Sequence, residues 1–146
     1  MTDADRTLLT ELRRLLLQLH KALIDWQRSE YETVHGRLQT TQLLNVLFND
    51  PAFAWLRTMS GLIVRIDEAL EPISASRRSS PEAGRADAGA SETGPLVAQA
   101  RELVAPEAGS PYALRYFAAM QELPDVVLAH SELVTLLKLQ RPASNA

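Results

Sequence analysis

The sequence contains no cysteine, which removes a disulfide framework, a thiolate zinc site and a cysteine nucleophile together. It also lacks any apolar run near the ~20 residues needed to cross a bilayer. The opening segment, MTDADRTLLTELRRLLLQLHK, begins acidic and mixes arginine with leucine, unlike the basic start and uninterrupted apolar stretch of a secretory leader. These three features fit a cytoplasmic setting. Surplus positive charge is missing too: the formal net charge is −3 and the basic residues are scattered, so nucleic acid is not an expected partner. Neither a glycine-rich phosphate loop, nor a Gly-x-Ser-x-Gly elbow, nor a His-Glu-x-x-His pair occurs. With only three histidines, a transition-metal site would need heavy carboxylate help, and no haem attachment motif is present. No cofactor is expected.

What is present reads as helix. At 146 residues and 46% hydrophobic content, the chain supports one core, and a single domain over residues 1–146 is expected. From Ala4 to about His35, Leu8, Leu12, Leu15, Leu16, Leu19, Leu23 and Trp26 recur at three-and-four spacing, and Gly36 supplies a stop. A short helix from Thr40 through Leu43, Leu44 and Leu47 ends near Asn49. The next start is the clearest in the chain: Asp50 caps and Pro51 takes the first helical position, where its missing amide hydrogen is not needed. That helix is expected to run through Phe53, Leu56, Ile63, Ile66 and Leu70 to about Ile73.

Residues 74–95, SASRRSSPEAGRADAGASETGP, hold small, polar and charged residues. They read as a disordered linker between helices in 1–73 and 96–140. Segments Leu96–Ala105, Tyr112–Glu122 and Pro124–Gln140 follow, punctuated by Pro106, Pro111 and Pro124. With no strand-like alternation and no internal repeat, the expected fold is all-α: an up-and-down bundle of about five to six helices with a long N-terminal helix.

Glu32 and His35 form a Glu-x-x-His of the type that ligates metal in di-iron bundles, but they fall opposite the leucine line and no second copy exists. More informative are polar residues placed where periodicity predicts core. Ser60 and Asp67 share the Phe53/Leu56/Ile63/Leu70 line, Glu30 continues the Leu19/Leu23/Trp26 line, and His130 sits between Val126, Leu133 and Leu137. With Arg37 or Arg57 they form an expected interior set. Such a set serves either as a structural network fixing helix register, the leading reading, or as a metal or acid–base site. His20 lies on the flank of its helix.

Phe53 and Trp55 differ by about 200° on an α-helix, so one of them needs a second surface. Leu17, Ile24 and Tyr31 make another apolar line off the main stripe. Leu17, Ile24, Tyr31 and Trp55 are therefore interface candidates for a homodimer or a protein partner, unless the C-terminal helices cover both faces.

The runs HKALIDWQRSEYETVHG, NDPAFAWLRTMSGLIVRIDEAL and RYFAAMQELPDVVLAHSEL, close to half the chain, resemble an uncharacterised family of small bacterial all-helical proteins. The resemblance implies a helical fold and a bacterial cytoplasmic setting, and it transfers no catalytic residue. The expected function is a non-enzymatic interaction or regulatory module. The alternative is a small-molecule or metal-binding bundle using Glu30, Asp67 and His130.

Overall fold

The computed structural model describes residues 2–71 and 86–139, with side chains from residue 92 onward in the second stretch. Among the described residues the chain is all-α, without strands. The helices are α1 (Asp3–His35), α2 (Thr40–Asn49), a 3-10 helix (Pro51–Leu56), α3 (Arg57–Leu70), α4 (Ala86–Val104), α5 (Pro111–Glu122) and α6 (Pro124–Leu139). No helix among the described residues is long and apolar enough to cross a membrane.

Local chemistry sets the ends. Thr2 Oγ1 accepts the Asp5 amide at 3.0 Å while the Asp5 carboxylate accepts the Thr2 amide at 3.1 Å, closing a capping box on α1. At 33 residues, α1 is about 50 Å long. It stops at Gly36, whose φ of 89° lies in the region open to glycine. The link to α2 is held by Glu32, which accepts from Arg28 at 3.2 Å and from the Leu38 amide at 2.7 Å. Asp50 Oδ1 accepts the Ala52 amide at 2.9 Å ahead of Pro51, as the sequence predicts. α2 begins one residue after Gln39, whose amide donates to Gln42 Oε1 at 3.0 Å, so the cap is not the Thr40 hydroxyl.

α1, α3, α4 and α6 form a ring in which α1 packs on α3 and α6, and α4 packs on the other sides of the same two helices. The buried line of α1 runs Leu9, Leu12, Leu16, Leu19, Leu23 and Trp26, and meets Met59, Leu62 and Ile66 of α3 and Val126, Leu133 and Leu137 of α6. Fully burying each such side chain contributes about 1.5–3 kcal/mol, so this ring carries most of the apolar stabilisation. α1 and α3 run antiparallel, with Arg6 donating to the Leu70 carbonyl at 3.0 Å and Trp55 reaching Gln27 at 2.8 Å. The α2–3-10 hairpin folds over one end of this pair. α5 closes against α6 and α1.

Two boundaries differ from expectation. Residues 86–95, expected as linker, lie within α4, which continues through Pro95. Ala86, Ala88 and Ala90 have the best intrinsic helix propensity, which the polarity of the stretch obscured. The rest of the expected linker, 74–85, lies outside the described residues. α3 ends at Leu70 with Glu71 extended, and the Ile73 end expected for it also lies outside them.

Candidate functional site

The interior set drawn from periodicity does not converge. Glu30 is exposed, not interior. It lies on the buried line of α1 but past Gln27, the last buried residue of that helix, where Tyr31 packs on Phe53 and Glu30 is left exposed. Asp67 is half-buried and paired with Arg13 across α1 and α3. Ser60 is half-buried beside His20, and His130 is half-buried beside Tyr116, with Nδ1 at 2.8 Å from the phenol oxygen. Arg37 and Arg57 are exposed. Among the described residues no three His, Asp or Glu side chains gather closely enough to hold a metal ion.

The 3-10 helix explains the displacement of Ser60 and Asp67. A 3-10 helix turns about 120° per residue against about 100° for an α-helix, so six residues shift the phase by roughly a third of a turn. Met59, Leu62, Ile66 and Ala69 take the centre of the buried face, and Ser60 and Asp67 move to its edge. His35 is exposed and stacks on Tyr31 at 4.3 Å between centroids.

Three of the four interface candidates are occupied by the chain itself. Trp55 is half-buried: its indole N–H donates to Gln27 Oε1 at 2.8 Å and its ring meets Trp26 edge-on at 6.1 Å. Tyr31 packs on Phe53, and Ile24 is half-buried against the core. The hairpin folds back over this secondary line, and α5 supplies Trp55 with its second surface. Leu17 is left 39% exposed.

A polar and aromatic network occupies the junction of α1, α5 and α6. Gln27, only 3% exposed, accepts from both Trp55 Nε1 and Arg115, the latter at 3.0 Å. Trp26 Nε1 donates to Glu122 at 3.0 Å. The rings continue through Trp55–Tyr112, Tyr112–Tyr116 and Tyr116–His130, each with centroids under 6 Å apart. The Tyr112 hydroxyl donates to the Leu103 carbonyl at 2.7 Å. Burial pushes both phenols up and the His130 imidazole down, so all three groups are neutral at neutral pH. Sequence reasoning missed Gln27 and Arg115. Only Gln27 left a trace, since it falls four residues after Leu23 on the apolar line.

The second concentration of chemistry is a cavity of about 250 Å³ built from α1, α2, the 3-10 helix and α3. Its apolar wall is Ile24, Leu47, Phe48, Phe53 and Leu56, and its polar members are His20, Ser60 and Arg57. His20 Nε2 lies 2.7 Å from Ser60 Oγ, which is also 3.3 Å from the Leu56 carbonyl. Burial holds the imidazole below its ordinary value, so it is neutral at pH 7. No carboxylate hydrogen-bonds His20 among the described residues, so the pair lacks the orienting acid of a Ser-His-Asp triad. It provides fixed hydrogen-bonding groups beside an apolar space.

The cavity mouth adjoins α2, and that helix is unusual. TTQLLNVLFN buries no residue. Leu43, Val46 and Leu47 are half-buried, while Leu44 and Phe48, one turn apart, are 55% and 75% exposed. α2 also bears no charged side chain. The chain matches no protein-family model, no curated protein and no solved structure.

Proposed function

We propose that this chain is a helical interaction module that pairs with a second copy of itself through the exposed face of α2. The observation that carries the proposal is the absence of any buried residue on a ten-residue helix with five apolar side chains. A ten-residue helix is too short to be stable in water on its own propensity, so it depends on packing of its apolar face. Here that face is only partly covered by the chain.

The lack of charge selects the partner. In a two-fold contact the same patch appears on both sides, and any charge on it meets its own sign or nearly so. Like-charge contacts are strongly unfavourable when desolvated. On α2 itself, a face of Leu44 and Phe48 flanked by Thr41, Asn45 and Asn49 brings no charge to the contact, and each copy offers the other a matching apolar surface.

Sedimentation velocity over a range of about 5–500 µM tests this, because self-association follows mass action. The wild-type chain is expected to move from monomer to dimer across the range. Leu44→Asp is expected to stay monomeric with an unchanged helical circular dichroism spectrum. A wild-type chain that remains monomeric throughout, or an L44D chain that dimerises as well as wild type, defeats the proposal.

A further inference from the structure

We propose that the cavity beside His20 and Ser60 binds a small apolar molecule carrying one carboxylate, with its hydrocarbon against Ile24, Leu47 and Phe53 and its carboxylate on Arg57. The space, about 250 Å³, exceeds the ~150 Å³ that holds a benzene molecule in an apolar protein cavity. A single ring or a short chain with an acid group fits that size. A drug-sized ligand does not.

Arg57 identifies the charge. Arg57 lines the cavity, its guanidinium donates to the Asp50 backbone carbonyl at 3.1 Å, and it makes no ion pair among the described residues. The nearby Asp50 carboxylate is turned to the Ala52 amide as a cap, leaving the remaining guanidinium N–H groups to another carboxylate. One cation beside a largely apolar wall matches a monoanion and leaves a phosphate dianion half-neutralised. The His20–Ser60 pair supplies hydrogen-bonding atoms at the wall, and its neutral imidazole adds no second positive charge. Phe48, 75% exposed, lines the same cavity on its α2 side.

Phe48 belongs to both the pairing face and the cavity lining, so ligand binding is measured in the L44D background as well as in wild type. Leu44 is outside the cavity lining and Arg57 is outside α2, so L44D reads pairing and R57Q reads ligand. The probes are phenylacetate, hexanoate and the neutral isostere phenylacetamide, each titrated to about 5 mM by ligand-detected NMR and calorimetry, a range that captures millimolar affinity. Phenylacetate or hexanoate is expected to bind the wild-type chain. Arg57→Gln is expected to weaken the carboxylates roughly two- to fivefold, the range of an ion pair made by an exposed arginine. Phenylacetamide is expected to bind wild type and R57Q equally weakly. Leu47→Trp, a substitution at a half-buried wall position that fills the space, is expected to abolish binding while leaving the circular dichroism unchanged. Failure of both carboxylates to bind, equal affinity for acid and amide, or undiminished binding to folded L47W overturns the proposal.

Discussion

Replacing Gln27 by leucine tests whether one side chain joins α1 to the 3-10 helix and α5. Leucine preserves most of the volume, so packing is nearly conserved, while both hydrogen bonds to Oε1 are lost. Arg115 is exposed and regains water. Trp55 is half-buried, and its indole N–H loses its acceptor in a site with restricted access to water. Leaving such a donor unpaired costs about 1–3 kcal/mol, and partial exposure places this one at about 1–2 kcal/mol. For a chain of this size that corresponds to a fall of about 3–6 °C in melting temperature. Urea unfolding followed by circular dichroism gives the free energy, and Trp55→Phe completes a double-mutant cycle. In the W55F background the donor no longer exists, so Q27L is expected to cost at least ~1 kcal/mol less than in wild type. A Q27L chain within ~0.5 kcal/mol of wild type, or a coupling energy near zero, refutes the reasoning.

Two further outcomes concern the half-buried histidines and two of the glycines. Burial holds His20 and His130 below their ordinary value of 6.5, so the unfolded chain binds more protons than the folded one once the pH drops. Their contribution to stability is complete above that value, declines as pH falls through it, and is lost once pH passes the folded-state values. Urea midpoints between about pH 8 and pH 5 are expected to fall with acidity, and His20→Asn combined with His130→Asn is expected to flatten that fall; an unchanged slope in the double variant contradicts it. The glycines give opposite signs: Gly36→Ala is expected to destabilise by about 1 kcal/mol or more and Gly61→Ala to stabilise by about 0.5–1 kcal/mol in thermal melts. Added Cβ atoms meet nothing within 4 Å at either position, so only the backbone distinguishes them, with φ of 89° at Gly36 and helix interior at Gly61.

Periodicity and punctuation were enough to place the long first helix, the Asp50–Pro51 start, and the proline-led α5 and α6. These features are local: an apolar face, a cap or a proline acts within one or two turns. The site was less legible because its elements are not local. Ser60 and Asp67 were placed by continuing one helical phase through Phe53, and a 3-10 turn breaks that phase without a signature in composition. Glu30 sits at the right angle on α1 but past its last buried residue, where the 3-10 helix reaches Tyr31 and not Glu30, and angle says nothing of height. The His20–Ser60 pair joins residues 40 positions apart. Its proximity depends on the antiparallel register of α1 and α3, which no spacing within either helix encodes. Trp55 needed a surface other than the one Phe53 uses, as the angular argument required, but that surface is α5 of the same chain.

The placement of the two tryptophans gives the chain a built-in optical reporter. Trp26 is tied to Glu122 of α5, and Trp55 lies against Tyr112 at the start of the same helix. Detachment of α5 with the α1–α3 pair intact would release one indole from its carboxylate and separate the other from a tyrosine that transfers excitation to it. Emission wavelength and tyrosine-to-tryptophan transfer would both change while helix content stayed nearly constant. Opening of α5 and global unfolding are therefore spectrally distinct events in this molecule, measurable without any attached label.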